Sequence, residues 1–94
     1  SLSGTLLESS DSRLKSDIEK IGNALDKVNN LSGYTFVKNG QRSTGVIAQE
    51  IQQVLPEAVQ EKDGYLSVAY GNLIGLLIEA IKEQQKEIEE LKNK

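Results

Sequence analysis

The 94-residue chain contains no cysteine and no histidine. Without thiols it forms no disulfide and runs no thiolate chemistry, and without imidazoles a zinc site lacks its usual ligands. Methionine and tryptophan are also absent, and the aromatics are limited to Tyr34, Phe36, Tyr65 and Tyr70. A first residue other than methionine points to a piece of a longer chain. No apolar run approaches the roughly 20 residues that span a bilayer, and the start has no charged-then-apolar signal peptide, so no membrane partner is expected. Eleven basic residues stand against 14 acidic ones, for a net charge of −3. With no basic stripe, nucleic acid is not the expected main partner. Gly40, Gly45 and Gly64 are isolated turn residues rather than a phosphate-binding loop, so the sequence calls for no nucleotide, other cofactor or metal. What remains is one small domain with a modest core of its own.

Periodicity divides the chain into an α+β order. Residues 1–9 alternate weakly and read as a short strand or an unstructured lead-in. Within 10–30, Leu14, Ile18, Ile21, Leu25 and Val28 recur at four- and three-residue steps, which predicts an amphipathic helix. Asn29-Asn30 and Ser32-Gly33 end it. The region 34–69 reads as two hairpins around a short helix. Tyr34–Val37 and Thr44–Ala48 flank Asn39-Gly40, with a loop longer than two residues expected; Ala58–Glu61 and Tyr65–Val68 flank Asp63-Gly64. Gln49–Leu55 is the short helix, with Ile51, Val54 and Leu55 inward, and Pro56 ends it or turns the chain beyond it. Both hairpins are expected to pack on the first helix.

The segment 70–92 is the most regular. Heptads place Ile74, Ile81 and Ile88 at position a, and Leu77, Gln84 and Leu91 at position d. Up to Ile81 the apolar face is widened by Leu73, Leu76 and Ile78, as expected of a helix on its own core. Beyond Ile81 only the a/d seam stays apolar, which predicts a partner helix. In a parallel coil Glu87 would meet Lys92 of the next chain. Ile at a with Leu at d leans toward a dimer, and Gln84 weakens that inference.

The densest chemistry lies in Ser9-Ser10-Asp11-Ser12-Arg13-Leu14-Lys15. One reading is an N-cap, because serine before a periodic run accepts a bond from an unpaired backbone N–H. The other is a Ser–Lys dyad, with Ser10 as nucleophile and Lys15 as the base that serine needs. Residues five apart on a regular helix are turned about 140° from each other. A dyad therefore requires Ser10 outside the helix, with Lys15 folding back or reaching a neighbouring subunit. Free N–H groups at the helix start would then stabilise an oxyanion.

Four pieces in order carry a resemblance: Ser10–Ile18, Gly45–Ile51, Leu55-Pro56-Glu57-Ala58-Val59, and Ser67-Val68-Ala69-Tyr70 leading into Leu73. Together they resemble the C-terminal intramolecular chaperone domain of phage tail spikes, tail fibres and neck appendages, also called the peptidase S74 family. A related domain occurs in the eukaryotic myelin regulatory factor. The resemblance implies a homotrimer, in place of the dimer leaning, with a long C-terminal helix forming a trimeric coiled coil through Ile74, Leu77, Ile81, Gln84, Ile88 and Leu91. It implies a domain that helps the upstream fibre or spike of the same polypeptide to fold in the host cytoplasm during virion assembly. The domain then releases itself by cutting between Ser9 and Ser10. Ser10 and Lys15 carry over as the catalytic pair of an autocatalytic serine endopeptidase acting once in cis, with Asp11 and Arg13 as candidate supports. Residues 1–9 become the lead-in upstream of the cut and 10–94 the chaperone domain. The competing expectation is a trimerisation or adhesion module that stays attached. A protease acting in trans is disfavoured, because nothing in the sequence builds a substrate cleft.

Overall fold

The computed structural model describes residues 4–94. Its regular elements are helix α1 (Ala24–Asn29), strands β1 (Tyr34–Lys38) and β2 (Gln41–Gly45), helix α2 (Ala48–Val54), strands β3 (Val59–Lys62) and β4 (Tyr65–Val68), and helix α3 (Ile74–Lys92). Single 3₁₀ turns cover Ser12–Leu14, Pro56–Ala58 and Tyr70–Leu73. The architecture is α+β, with two separate antiparallel hairpins and one long helix.

Turn chemistry sets both hairpins. Asn39 and Gly40 have φ of 53° and 77°, and Asp63 and Gly64 have 53° and 82°. Two successive left-handed residues make the tight turn whose twist matches that of paired strands. The first hairpin is therefore closed by two residues, tighter than the sequence suggested. It pairs Lys38 with Gln41 and Tyr34 with Gly45. The partner strand is Gln41–Gly45 rather than Thr44–Ala48, because the tight turn draws the pairing toward Asn39-Gly40 and leaves Val46 and Ile47 to lead into α2. The second hairpin pairs Val59 with Val68 and Lys62 with Tyr65, close to expectation.

The N-terminal region departs most from the sequence reading. No helix runs from Leu14 to Val28; α1 holds six residues, Ala24–Asn29. Asp17 and Asn23 both have φ of 51°, and this left-handed backbone interrupts a right-handed helix. Gly22 and Asn23 are also weak helix formers. Packing explains the outcome: Ile21, Leu25 and Val28 meet the core, whereas Leu14 and Ile18 are exposed and meet none of it. Two of the five residues of the apolar stripe thus meet none of the core among the described residues. Thr5–Ser10 forms no strand, and residues 1–3 of the lead-in lie outside the described residues.

Ala24, Ile51, Leu55, Ala58, Leu76 and Ala80 form the buried core. α1 lies against α3, while the second hairpin packs on α2, so the hairpins do not share the first helix as a platform. The first hairpin is fixed at its base. Tyr34 donates from its hydroxyl to Glu50 Oε2 at 2.6 Å, and Val46 N–H donates to the Tyr70 hydroxyl at 3.2 Å. Gly45 permits that approach, since a Cβ there would stand 2.5 Å from the Tyr70 oxygen.

α3 presents two different faces. Leu76 and Ala80 are buried, and Leu73 packs beside them. Ile74, Leu77, Ile78, Ile81, Ile88 and Leu91 are exposed, so the intramolecular face is narrower than expected before Ile81. Past Ile81 the helix projects beyond the core. The radius of gyration is 16.3 Å, against about 12 Å for a compact globule of this length.

Glu83 joins α3 to α1 by accepting from Ala24 N–H at 2.9 Å and from Leu25 N–H at 3.0 Å. Asn23, at the cap position, makes no side-chain cap bond, so the cap comes from a distant helix. These bonds from Leu25 and Ala24 hold the Glu83 carboxyl below its ordinary value of 4.5. A depressed carboxyl stabilises the fold fully above its unfolded-state value and loses that contribution as pH falls through the folded-state value. Glu83→Gln is expected to lower the thermal midpoint at pH 7 by a few degrees and to flatten its decline below about pH 4.5, the ordinary carboxylate range. Thermal unfolding followed by circular dichroism from pH 3 to pH 7 checks both.

Candidate functional site

Ser10 lies just before the 3₁₀ turn Ser12–Leu14, and Lys15 caps the turn's far end. The turn is held by Leu14 N–H donating to Asp11 O at 3.0 Å and by Lys15 N–H donating to Ser12 O at 3.1 Å. Reversing the chain over so few residues folds Lys15 back, and its Nζ donates to Ser10 Oγ at 2.7 Å. The two side chains that a regular helix would have turned apart thus meet within one chain. This separation lies in the range for direct proton transfer between a hydroxyl and an amine.

Asp11 organises the turn. Its Oδ1 accepts from Arg13 N–H at 2.9 Å and from Arg13 Nε at 3.1 Å, and its Oδ2 accepts from an Arg13 terminal nitrogen at 2.8 Å. The Arg13 guanidinium first, and its backbone N–H second, hold the Asp11 carboxyl below the usual carboxylate range. The same carboxylate raises the Arg13 guanidinium further above neutrality. The N-cap is therefore Asp11 rather than a serine, and capping and the Ser10–Lys15 contact coexist. The oxyanion donors expected at the start of a 14–28 helix are not offered by one, because that helix is replaced by a single turn whose Arg13 N–H is taken by Asp11.

Ser9, Ser10, Asp11, Arg13 and Lys15 are all exposed. The Glu8 carboxylate, the end of an exposed and flexible side chain, lies beside Gly71. Glu83 does not stand out in the sequence, because it acts on backbone N–H groups about 60 positions away. The heptad residues Ile74, Leu77, Ile81, Gln84, Ile88 and Leu91 are likewise all exposed on α3, well separated in sequence from the Ser10–Lys15 pair. Among the described residues no cluster of acidic side chains is arranged to hold a metal ion, and no helix is long and apolar enough to cross a membrane.

Residues 10–60 match the family described as chaperone of endosialidase, and the match opens on Ser10. The long tail fiber protein Gp37 of Enterobacteria phage K3 is 39% identical over 97 residues, covering 90% of this chain and 8% of that protein. Gp37 of Enterobacteria phage M1 is 41% identical over 96 residues, covering 88% of this chain and 38% of that protein. The chain thus spans well under half the length of these relatives. With more than half of its residues inside the family match, the chain belongs to the chaperone of endosialidase family of peptidase S74 domains.

Proposed function

We propose that residues 10–94 are the intramolecular chaperone of a phage tail fibre or spike, acting as a parallel homotrimer and releasing themselves by cutting between Ser9 and Ser10. The observation that carries this reading is the contact of Lys15 Nζ with Ser10 Oγ at 2.7 Å, directly after the bond to be cut. The family membership and the similarity to tail fibre proteins support the assembly role.

In the proposed reaction a neutral Lys15 takes the Ser10 hydroxyl proton as Oγ attacks the Ser9 carbonyl carbon. The tetrahedral adduct collapses with loss of the Ser10 amide nitrogen, which leaves as an amine after receiving a proton from Lys15. The acyl group now sits on oxygen as an ester. Water, deprotonated by Lys15, attacks that ester, and the products are a carboxylate at Ser9 and a free hydroxyl at Ser10. Lysine acts as a base only when neutral, and desolvation favours the neutral amine. The pair is exposed on a single copy, so covering by a neighbouring chain or the upstream fibre is the step that would switch it on.

This chemistry suits a disposable chaperone. Three fibre chains must find register before their non-local contacts form, and loop-closure entropy opposes this with little early return. A terminal domain that trimerises readily raises the effective concentration of the tethered chains. Release afterwards leaves a fibre protected by its unfolding barrier. The exposed a/d residues of α3 are the surface that would associate.

Two outcomes follow. In the full parent chain, Ser10→Ala abolishes release, and Lys15→Ala slows it by about 10²–10⁴-fold. Lys15→Arg does not restore it, because guanidinium stays charged. Denaturing gels and N-terminal sequencing read this, with Ser10 as the new N-terminus of the released piece; normal release by Ser10→Ala contradicts the reaction. Separately, Ile81→Asp with Ile88→Asp buries unpaired charge in the seam and dissociates or unfolds the trimer. Sedimentation equilibrium at micromolar concentration is the check, and a monomeric unmodified chain removes the trimer.

A further inference from the structure

An apolar niche of about 220 Å³ opens among α1, α2 and α3, lined chiefly by Val28, Leu31, Val46, Leu73, Leu76 and Leu77. Leu77 also belongs to the a/d seam, so niche and seam form one continuous surface. Ile78, the next residue of α3, is 51% exposed and lies outside the core cluster.

We infer that the Ile78 side chain of each copy docks into this niche on the neighbouring copy, so that the core of every domain is completed across the interface. The inference rests on the parallel trimer proposed above and adds a second contact, outside the seam, made by a different flank of the helix.

Heptad arithmetic selects the occupant. With Ile74 at a, Leu73 is the g residue before it and Ile78 the e residue after it. In a parallel, in-register coil the g flank of one helix faces the e flank of the next, five residues further on. Leu73 then faces the partner's Ile78, Ala80 faces the partner's Gln85, and Glu87 faces the partner's Lys92. The last of these pairs joins opposite charges, and an antiparallel arrangement would not bring them together. The two flanks are also unlike within one chain. On the g side Ala80 is buried and Leu73 half-buried against the domain body, whereas Ile78, Gln85 and Lys92 on the e side are exposed. Each copy therefore offers its body and niche on one flank and a bare isoleucine on the other. That head-to-tail relation closes into a ring.

The cysteine-free chain permits a direct test. Leu31→Cys with Ile78→Cys, oxidised in the 94-residue chain, is expected to give covalently closed trimers on non-reducing gels, while each single variant gives none. Ile88→Cys serves as the seam control and should link pairs of chains. Trimer bands from the double variant together with seam crosslinks support the docking. Seam crosslinks without them, or a disulfide closed within one chain, overturn the docking and leave the trimer standing. Absence of both, with a monomer by sedimentation, overturns the trimer and the docking with it. Ile78→Ser keeps the measurement informative if the double variant does not fold. It alters an exposed side chain of the single copy and is expected to raise the trimer dissociation constant at least tenfold; an unchanged constant overturns the docking.

Discussion

The Glu83 carboxylate, accepting from the first two N–H groups of α1, is the contact on which the domain's arrangement depends. A six-residue helix is far below the length that is stable alone in water. Its cap residue, Asn23, is in left-handed backbone and makes no side-chain cap bond. α1 therefore persists because α3 supplies both a packing face, through Leu76 and Ala80, and the acceptor for its unpaired donors.

From that constraint follows a division of labour along α3. One stripe is used inside the chain, and the adjoining a/d stripe is left exposed over its whole length. With so few residues buried, the domain is a small core carrying a long exposed apolar stripe. In the proposed trimer such a domain would gain much of its stability by association, which would suit a module that brings three tethered chains together. The Ser10–Lys15 pair meets on the exposed segment before α1. Chemistry there would be sensitive to covering by neighbours, and assembly would thereby gate release.

Much of this is legible in the residues, and the exceptions have physical causes. Asn39-Gly40 and Asp63-Gly64 announce their hairpins because left-handed backbone at both positions demands those residue types. The long helix α3, the inward Ile51 of α2 and the buried Leu55 that caps it follow from period alone. The helix expected over 14–28 fails because spacing cannot reveal whether a surface exists to bury Leu14 and Ile18. The meeting of Ser10 and Lys15 is legible as a pairing of residue types, but its route is not: the 3₁₀ turn arises from Asp11 binding Arg13, a local competition that periodicity overlooks. Glu83 escapes notice because its partners are backbone atoms far away in the chain.

The central claim, that completed assembly permits release, is tested most directly by refolding the denatured parent chain over a range of concentrations. Trimer formation is followed by sedimentation, and the freed C-terminal piece by mass, in the same samples. The account predicts that the piece appears only where trimer has formed, and that the onset of release moves with concentration as trimerisation does. Release at the same rate from chains held monomeric by dilution would contradict it.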